Sequence, residues 1–392
     1  MACCPRMEKW ITDILDSKYC TFLVSLFATI LSFADPMTDI FTLVEFYRDD
    51  HKTWFAVGLA FVVLPCVSFF VFMRRLHGLS KETLLCGFNP FSSAWLRLKI
   101  CWRNFKKCCW DDNSNDDNED LNEHSALVLL FEAVLESAPQ FIIQLYAMSV
   151  QQEPVKIIQM ISLSVSFLSL AWAFTAHDSI HVGIFKGCSV KRNVVLFVNY
   201  LFLLSSRLFA VTFFTITYKW WIISVLMIHS VLILIADAIW SYGIKRVFQN
   251  YCSSWKDVSL SALRSCLNWL RDDMSPTLSV KERARIRQRM TRLSNILFVI
   301  ENIIMILTFY RFSPFSNTWY SLPVTVCVCL FSVIGAVARV AHVCFVTKKS
   351  RTMLTVRYNR KITQPKLVMN QAGESTKGVS RFDMMAEYVS YV

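Results

Sequence analysis

Charge, glycine and proline are all scarce in this sequence, and the short motifs that mark most enzymes are missing. Charged residues make up 18 % of the 392, with nine Gly and ten Pro. Soluble domains usually carry about 25 % charged residues. That shortfall excludes the string of soluble domains that the length alone would permit. No G-x-x-x-x-G-K-[ST] occurs, so a P-loop pump is unsupported, and H-E-x-x-H and G-x-S-x-G are missing too. The 14 Cys form no paired C-x-x-C sets with zinc spacing, so free thiols are the default. The net charge of +12 raises nucleic acid as a partner, but no zinc-finger, ribonucleoprotein or basic-zipper pattern accompanies it. There is also no N-x-[ST] sequon. An enzyme is the poor reading, and no cofactor, metal or nucleic acid is expected.

What remains is apolar. Hydrophobic residues reach 54 %, with 31 Phe. A transmembrane helix needs about 20 mostly apolar residues. Eight segments qualify: 20–43, 54–73, 126–150, 157–176, 194–217, 220–243, 294–311 and 320–346. The expectation is an all-α polytopic membrane protein of eight spans. Lys and Arg orient it: 34 fall in the N-terminus, the loops 74–125, 177–193 and 244–293, and the C-tail, against five on the other side. Basic residues stay inside, which puts both termini in the cytosol. The charged start up to Lys18 and the long run after it do not read as a cleavable signal peptide.

The parts are a cytosolic N-terminus (1–19), a first membrane half (20–176), a cytosolic linker (177–193), a second half (194–346) and a mobile C-tail (347–392). Within the loops, "LLCGFNPFSSAWLRLKICW" (84–102) is aromatic but broken by Gly87, Asn89 and Pro90, so it is expected to be partly inserted or interfacial. The stretch 247–270 has similar spacing. The basic run 281–292 suits anionic lipids or simply sets topology. "DDNSNDDNED" (111–120) is low-complexity acid and is expected to be disordered. Cys3–Cys4 and Cys108–Cys109 lie near membrane ends and are candidates for palmitoylation, with the free thiol as the default.

Charges inside the spans are the chemical signal. A charge at mid-bilayer costs about 2.5–3.5 kcal/mol on insertion scales. The spans nonetheless hold Asp35, Asp39, Glu132, Glu136, Asp237 and Glu301, against Arg207 and Arg339. Asp35 and Asp39 are i, i+4, as are Glu132 and Glu136, so each pair shares a helix face. Pro36 and Pro139 sit beside the pairs and are expected to interrupt the helix. Gln140 and Gln144 continue the polar row. Dry ion pairs with the arginines would account for two acids and leave four, which favours a hydrophilic path. "AVLESAPQFII" and "FVIENIIMILT" place Glu136 and Glu301 165 residues apart. That faint repeat suggests two related four-helix halves.

"FEAVLESAPQFIIQLY" (131–146), "ADPMTDIFTLVEFY" and "GFNPFSSAWLRL" together resemble the XK / XK-related membrane protein family, over about residues 20–346. The resemblance implies eight spanning helices in two related halves, with two further membrane-inserted segments. It implies a plasma-membrane protein that scrambles phospholipids passively, exposing phosphatidylserine on dying cells. Asp35, Asp39, Glu132, Glu136 and Arg207 would fall where the family has charges tied to stability or to the lipid path. The family's partners imply an accessory membrane subunit or a homodimer beside the phospholipids themselves. Several family members are switched on by caspase cutting of a terminal segment, but here the best D-x-x-D match is Asp117–Asp120 in the acidic loop, so Asp120 is the cleavage candidate. The residues leave two other readings open: a secondary transporter of a small solute or ion, and a scaffold that binds a partner through its cytosolic loops.

Overall fold

In the computed structural model, residues 18–76, 90–110, 118–151, 154–181, 190–242 and 280–341 are described. They are helical throughout, joined by short turns, with no strand among them. In chain order the helices are α1 (Lys18–Arg48), α2 (Lys52–Leu76), α3 (Ser92–Cys109), α4 (Asn118–Glu132), α5 (Ala138–Val150), α6 (Ile157–His181), α7 (Val190–Tyr218), α8 (Trp221–Tyr242), α9 (Val280–Phe312) and α10 (Ser321–Ala341). Six stretches are long and apolar enough to cross a membrane: α1, Val128–Val150, Ile157–Ser179, Asn193–Tyr218, Asn295–Phe312 and α10.

Polar residues are buried among an apolar core while large apolar side chains face outward, which a soluble bundle does not do. In α1 the residues Thr29, Ser32, Asp35, Asp39 and Thr42 are buried, while Ile30, Phe33, Met37, Phe41 and Val44 are exposed. In α10 Ser321, Thr325, Ser332 and Arg339 are buried, while Leu322, Val326, Leu330, Val333 and Val337 are exposed. Each set recurs at three, four or seven residues, one face of a helix. An exposed apolar face of this extent is stable only against lipid. The protein is therefore a membrane protein.

The inward polar residues do not leave the helices short of partners. Ser32, Thr29 and Thr42 donate to the carbonyls four residues back, at 2.8–3.0 Å, a local bond that serine and threonine make in helices. Arg207, fully buried on α7, is the largest side chain at the centre. Around it α7 packs on α5, α6 and α9, while α1 lies against α3 and α6. Close approach shows at Gly335. A Cβ there would lie 3.1 Å from the Leu203 backbone nitrogen, so only glycine lets α10 sit this near α7.

Several expectations change at this level. Pro139 does not break its helix. A single π turn, Ala133–Ser137, joins α4 to α5, and Pro139 sits in the first turn of α5. A π turn is wide, and here it takes up the residue whose ring and missing N–H would strain an α-helix. Pro36 likewise lies within an unbroken α1. Residues 118–120 of the acidic insert belong to the start of α4 rather than to a disordered loop. The helix α6 runs on to His181, past the expected end at 176, so part of the 177–193 linker is helical. The basic run 281–292 is continuous with the following apolar stretch in one helix, α9. The stretches 247–270 and 347–392 lie outside the described residues.

The 84–102 segment resolves into α3, and its direction follows from its aromatic contacts. Phe33 of α1 meets Phe91 just before α3, and Phe22 meets Phe105 near the end of α3, with ring centroids 6.2 and 5.5 Å apart. α3 is therefore antiparallel to the first half of α1. It starts beside Phe33 and runs back toward Lys18, along the span α1 rather than flat across its end.

Candidate functional site

Two buried polar clusters stand apart in the bundle. The first is built from α1, the α4–α5 rod and α6. Asp39 accepts hydrogen bonds at Oδ1 from Ser162 Oγ (2.7 Å), Ser166 Oγ (3.1 Å) and Gln144 Nε2 (3.1 Å). Gln144 also donates to Ser162 at 2.9 Å. One turn earlier, Ser137 Oγ donates to Asp35 Oδ2 at 2.7 Å. Gln140 donates to the Gly58 carbonyl of α2 at 2.7 Å. The remaining oxygens, Asp35 Oδ1 and Asp39 Oδ2, are buried without a hydrogen bond.

The two glutamates face a different neighbour. Glu132 Oε1 accepts from the Ser93 backbone N–H at 3.1 Å and from Ser92 Oγ at 3.3 Å. It thereby caps the N-terminus of α3, where unsatisfied N–H groups and the helix dipole favour a carboxylate. Glu136 is buried, and its Oε1 has no hydrogen-bond partner. Both glutamates line one small cleft with Pro65, Cys66, Pro90 and Phe131. The i, i+4 reading of a shared face holds in that sense, across a π turn. No Lys or Arg comes within 4 Å of Asp35, Asp39, Glu132 or Glu136 among the described residues. Arg97 of α3 interacts electrostatically with Glu132, and its Nε and Nη2 are buried without hydrogen bonds.

The second cluster sets a carboxylate against cationic groups. Arg207 of α7 contacts both oxygens of Glu301 on α9, at 3.0 Å and 3.3 Å, and donates to Asn302 Oδ1 at 3.1 Å. His229 Nδ1 of α8 lies 2.6 Å from Glu301 Oε2. Asn302 Nδ2 in turn donates to Ser206 and Ser332, at 3.3 and 3.4 Å. Arg207 is thus held within the α7–α10 region and does not pair with the acids of the first cluster.

A third group ties these regions together. Arg339 of α10 bonds Asp178 of α6 (3.1 Å) and the Tyr200 hydroxyl of α7 (2.7 Å), and that hydroxyl donates to Asp178. Near the other end of the helices Tyr320 donates to the Ser149 carbonyl at 3.2 Å. Lys156 binds Asp49 and Glu45.

The structure thus brings together Asp35, Asp39, Gln140 and Gln144, with Glu132 and Glu136 beside them, and places Arg207 and Glu301 in the other cluster. Asp237 lies on α8 and Asp120 on the first turn of α4, but both side chains fall outside the described residues. Sequence reading missed Asp178, Asn302 and Arg97. Asp178 sits in "TAHDSIHV", whose polarity looks like a loop start; the helical spacing of Ser162, Ser166 and Ser169 was the signal that the polar face runs on.

Comparison with known proteins bears on these clusters. The family described as XK-related protein matches residues 23–348. A curated relative, XK-related protein 9 of Tetraodon nigroviridis, is 26 % identical over 178 residues. That match covers 39 % of this chain and 47 % of the relative, so it spans about half the relative's length.

Proposed function

The chain belongs to the XK-related family, and from that premise we propose that it is a passive phospholipid scramblase of the plasma membrane. It takes eight spans in two related four-helix halves, with both termini in the cytosol. It carries no enzymatic activity, cofactor or metal. The observation that supports this reading is the first cluster: four acids inside the membrane bundle with no basic partner within 4 Å among the described residues. Such groups are costly in oil and are usually functional. They hold water and meet the cationic amine or choline of a head group, while the acyl tails stay in lipid. Arg207 serves to fix the second half. Phospholipids such as phosphatidylserine are the cargo, during cell death among other occasions, and an accessory subunit or a second copy is the partner.

Reconstitution tests it. In liposomes holding a fluorescent lipid in both leaflets, external dithionite should bleach more than the outer-leaflet fraction. Bleaching at the protein-free level, with the chain intact and cut alike, would sink the reading. One observation favours a second reading. The cleft at Glu136 is about one water molecule in size in this conformation, which suits a proton or a small cation better than a head group. Cation-dependent uptake by the same liposomes without lipid movement would select that transporter.

A further inference from the structure

The end of α3 carries a site that the transport reading leaves unused. By rise per residue, Cys109 lies about 6 Å beyond Phe105, and Lys18 lies about 6 Å before Phe22. Phe105 and Phe22 touch, so Cys108 and Cys109 stand level with the first residue of α1. Electrostatics agrees with that placement. Partial desolvation and the neighbouring Cys109 push the Cys108 thiol up, while the Lys18 ammonium is close enough to pull it down.

The surroundings are those of a membrane boundary. Trp102 and Trp110 are exposed toward the end of α3, and such rings collect where apolar and wet regions meet. Lys106 stands over the Trp102 ring at 5.8 Å. Its ammonium can reach head groups while its stem covers an aromatic face. Cys109 is exposed and Cys108 half-buried, and both are free thiols. On the cytosolic side, where the basic residues place this end, thiols stay reduced. A thiol at that depth on an aromatic, basic helix lies within reach of the membrane.

We propose that Cys109, with Cys108 as a second acceptor, is S-acylated by a long-chain fatty acid. The thiolate sulfur attacks the carbonyl carbon of a fatty acyl-CoA thioester. A new carbon–sulfur bond forms, the CoA thiolate leaves, and it takes up the proton that the cysteine gave away. The chain then enters the leaflet beside Trp102 and Trp110 and pins the end of α3 to the bilayer. That fixes the limb whose other end Glu132 caps, which would steady the cleft at Glu136.

Acyl exchange on the full chain expressed in eukaryotic cells tests this. Free thiols are blocked, thioesters are cleaved with hydroxylamine, and the released thiols take a polyethylene-glycol maleimide that shifts the band. The wild type should shift, and Cys109→Ser with Cys108→Ser should lower the shifted fraction roughly tenfold. Cys3→Ser with Cys4→Ser should leave a shifted band. Recovery of the variant in the membrane fraction at wild-type amount guards against misfolding. The proposal is overturned if the wild type shows no hydroxylamine-dependent shift, or if the shift survives in the Cys108/Cys109 variant. It is also overturned if an impermeant maleimide labels Cys109 on intact cells, which would put that end outside.

Discussion

The acid cluster around Asp39 and the ion-pair cluster around Arg207 are built on similar frames and differ in charge. In the first, α1 supplies Asp35 and Asp39, the α4–α5 rod supplies Ser137 and Gln144, and α6 supplies Ser162. In the second, α7 supplies Ser206 and Arg207, α9 supplies Glu301 and Asn302, and α10 supplies Ser332. Ser137 and Asn302 each follow the glutamate of the faint repeat and each reach back to the earlier helix. One frame closes with opposite charges and hydrogen bonds, so it can stay dry. The other satisfies only part of its carboxylate oxygens and leaves the rest uncompensated. Opposite charges join the helices of the second, and hydrogen bonds to carboxyl groups join those of the first.

The largest expected effect breaks the ion-pair cluster. Arg207→Met leaves Glu301 charged with only His229 beside it, and removing one partner of a buried pair costs about 3–5 kcal/mol. The thermal midpoint in detergent should fall steeply, or monodisperse protein should be lost. Adding Glu301→Leu should restore much of it. If the double variant is no better than the single one, the pair is not what holds α7 to α9.

An intermediate effect separates the two clusters. Glu136→Gln removes a carboxyl group that has no ion-pair partner among the described residues and keeps the side-chain volume. Stability should stay within about 1 kcal/mol of the wild type or rise, because burying a lone charge is unfavourable. Lipid movement in the liposome assay should drop at the same time. A midpoint that collapses as it does for Arg207→Met would erase the contrast and make both clusters structural.

The smallest effect lies at the surface. Hydrogen bonds to Asp49 and then Glu45 hold the Lys156 ammonium above its ordinary pKa. A cation so raised adds stability that is complete below its unfolded value and is lost as pH rises through the folded one. Lys156→Ala should therefore move the thermal midpoint slightly at neutral pH, less at high salt, and not at all at strongly alkaline pH. A large shift that ignores salt would show that Lys156 holds α1 to α6 by more than charge.

Much of this was legible beforehand. Long apolar runs gave the helices, and the paired acids with Gln140 and Gln144 pointed to a polar lining. Which acid Arg207 would choose was not legible, because every carboxylate in the spans offers it the same chemistry. That choice is made by the packing of α7 on α9, which no local pattern encodes. Asp178 was missed because hydropathy stops at its polar neighbours, although Arg339 and Tyr200 keep that turn satisfied and helical. The fate of Pro139 was misjudged for a different reason. Proline removes a backbone donor and crowds the preceding turn, but does not say whether the chain breaks, widens as it does before Pro139, or runs on as it does at Pro36.

That widening has a consequence for the phase of the rod. The π turn at Ala133–Ser137 lodges an extra residue without adding a gap, so the helix before it and the helix after it are two dials set by that residue. Deleting one position between 133 and 137 would leave an unbroken α-helix and turn α4 by about 100° relative to α5. Gln140 and Gln144 would still face Gly58 and Asp39, but Glu132 would swing off the end of α3. The single surplus residue works as a gear tooth that keeps two polar rows, at two depths of the bilayer, aimed at different neighbours.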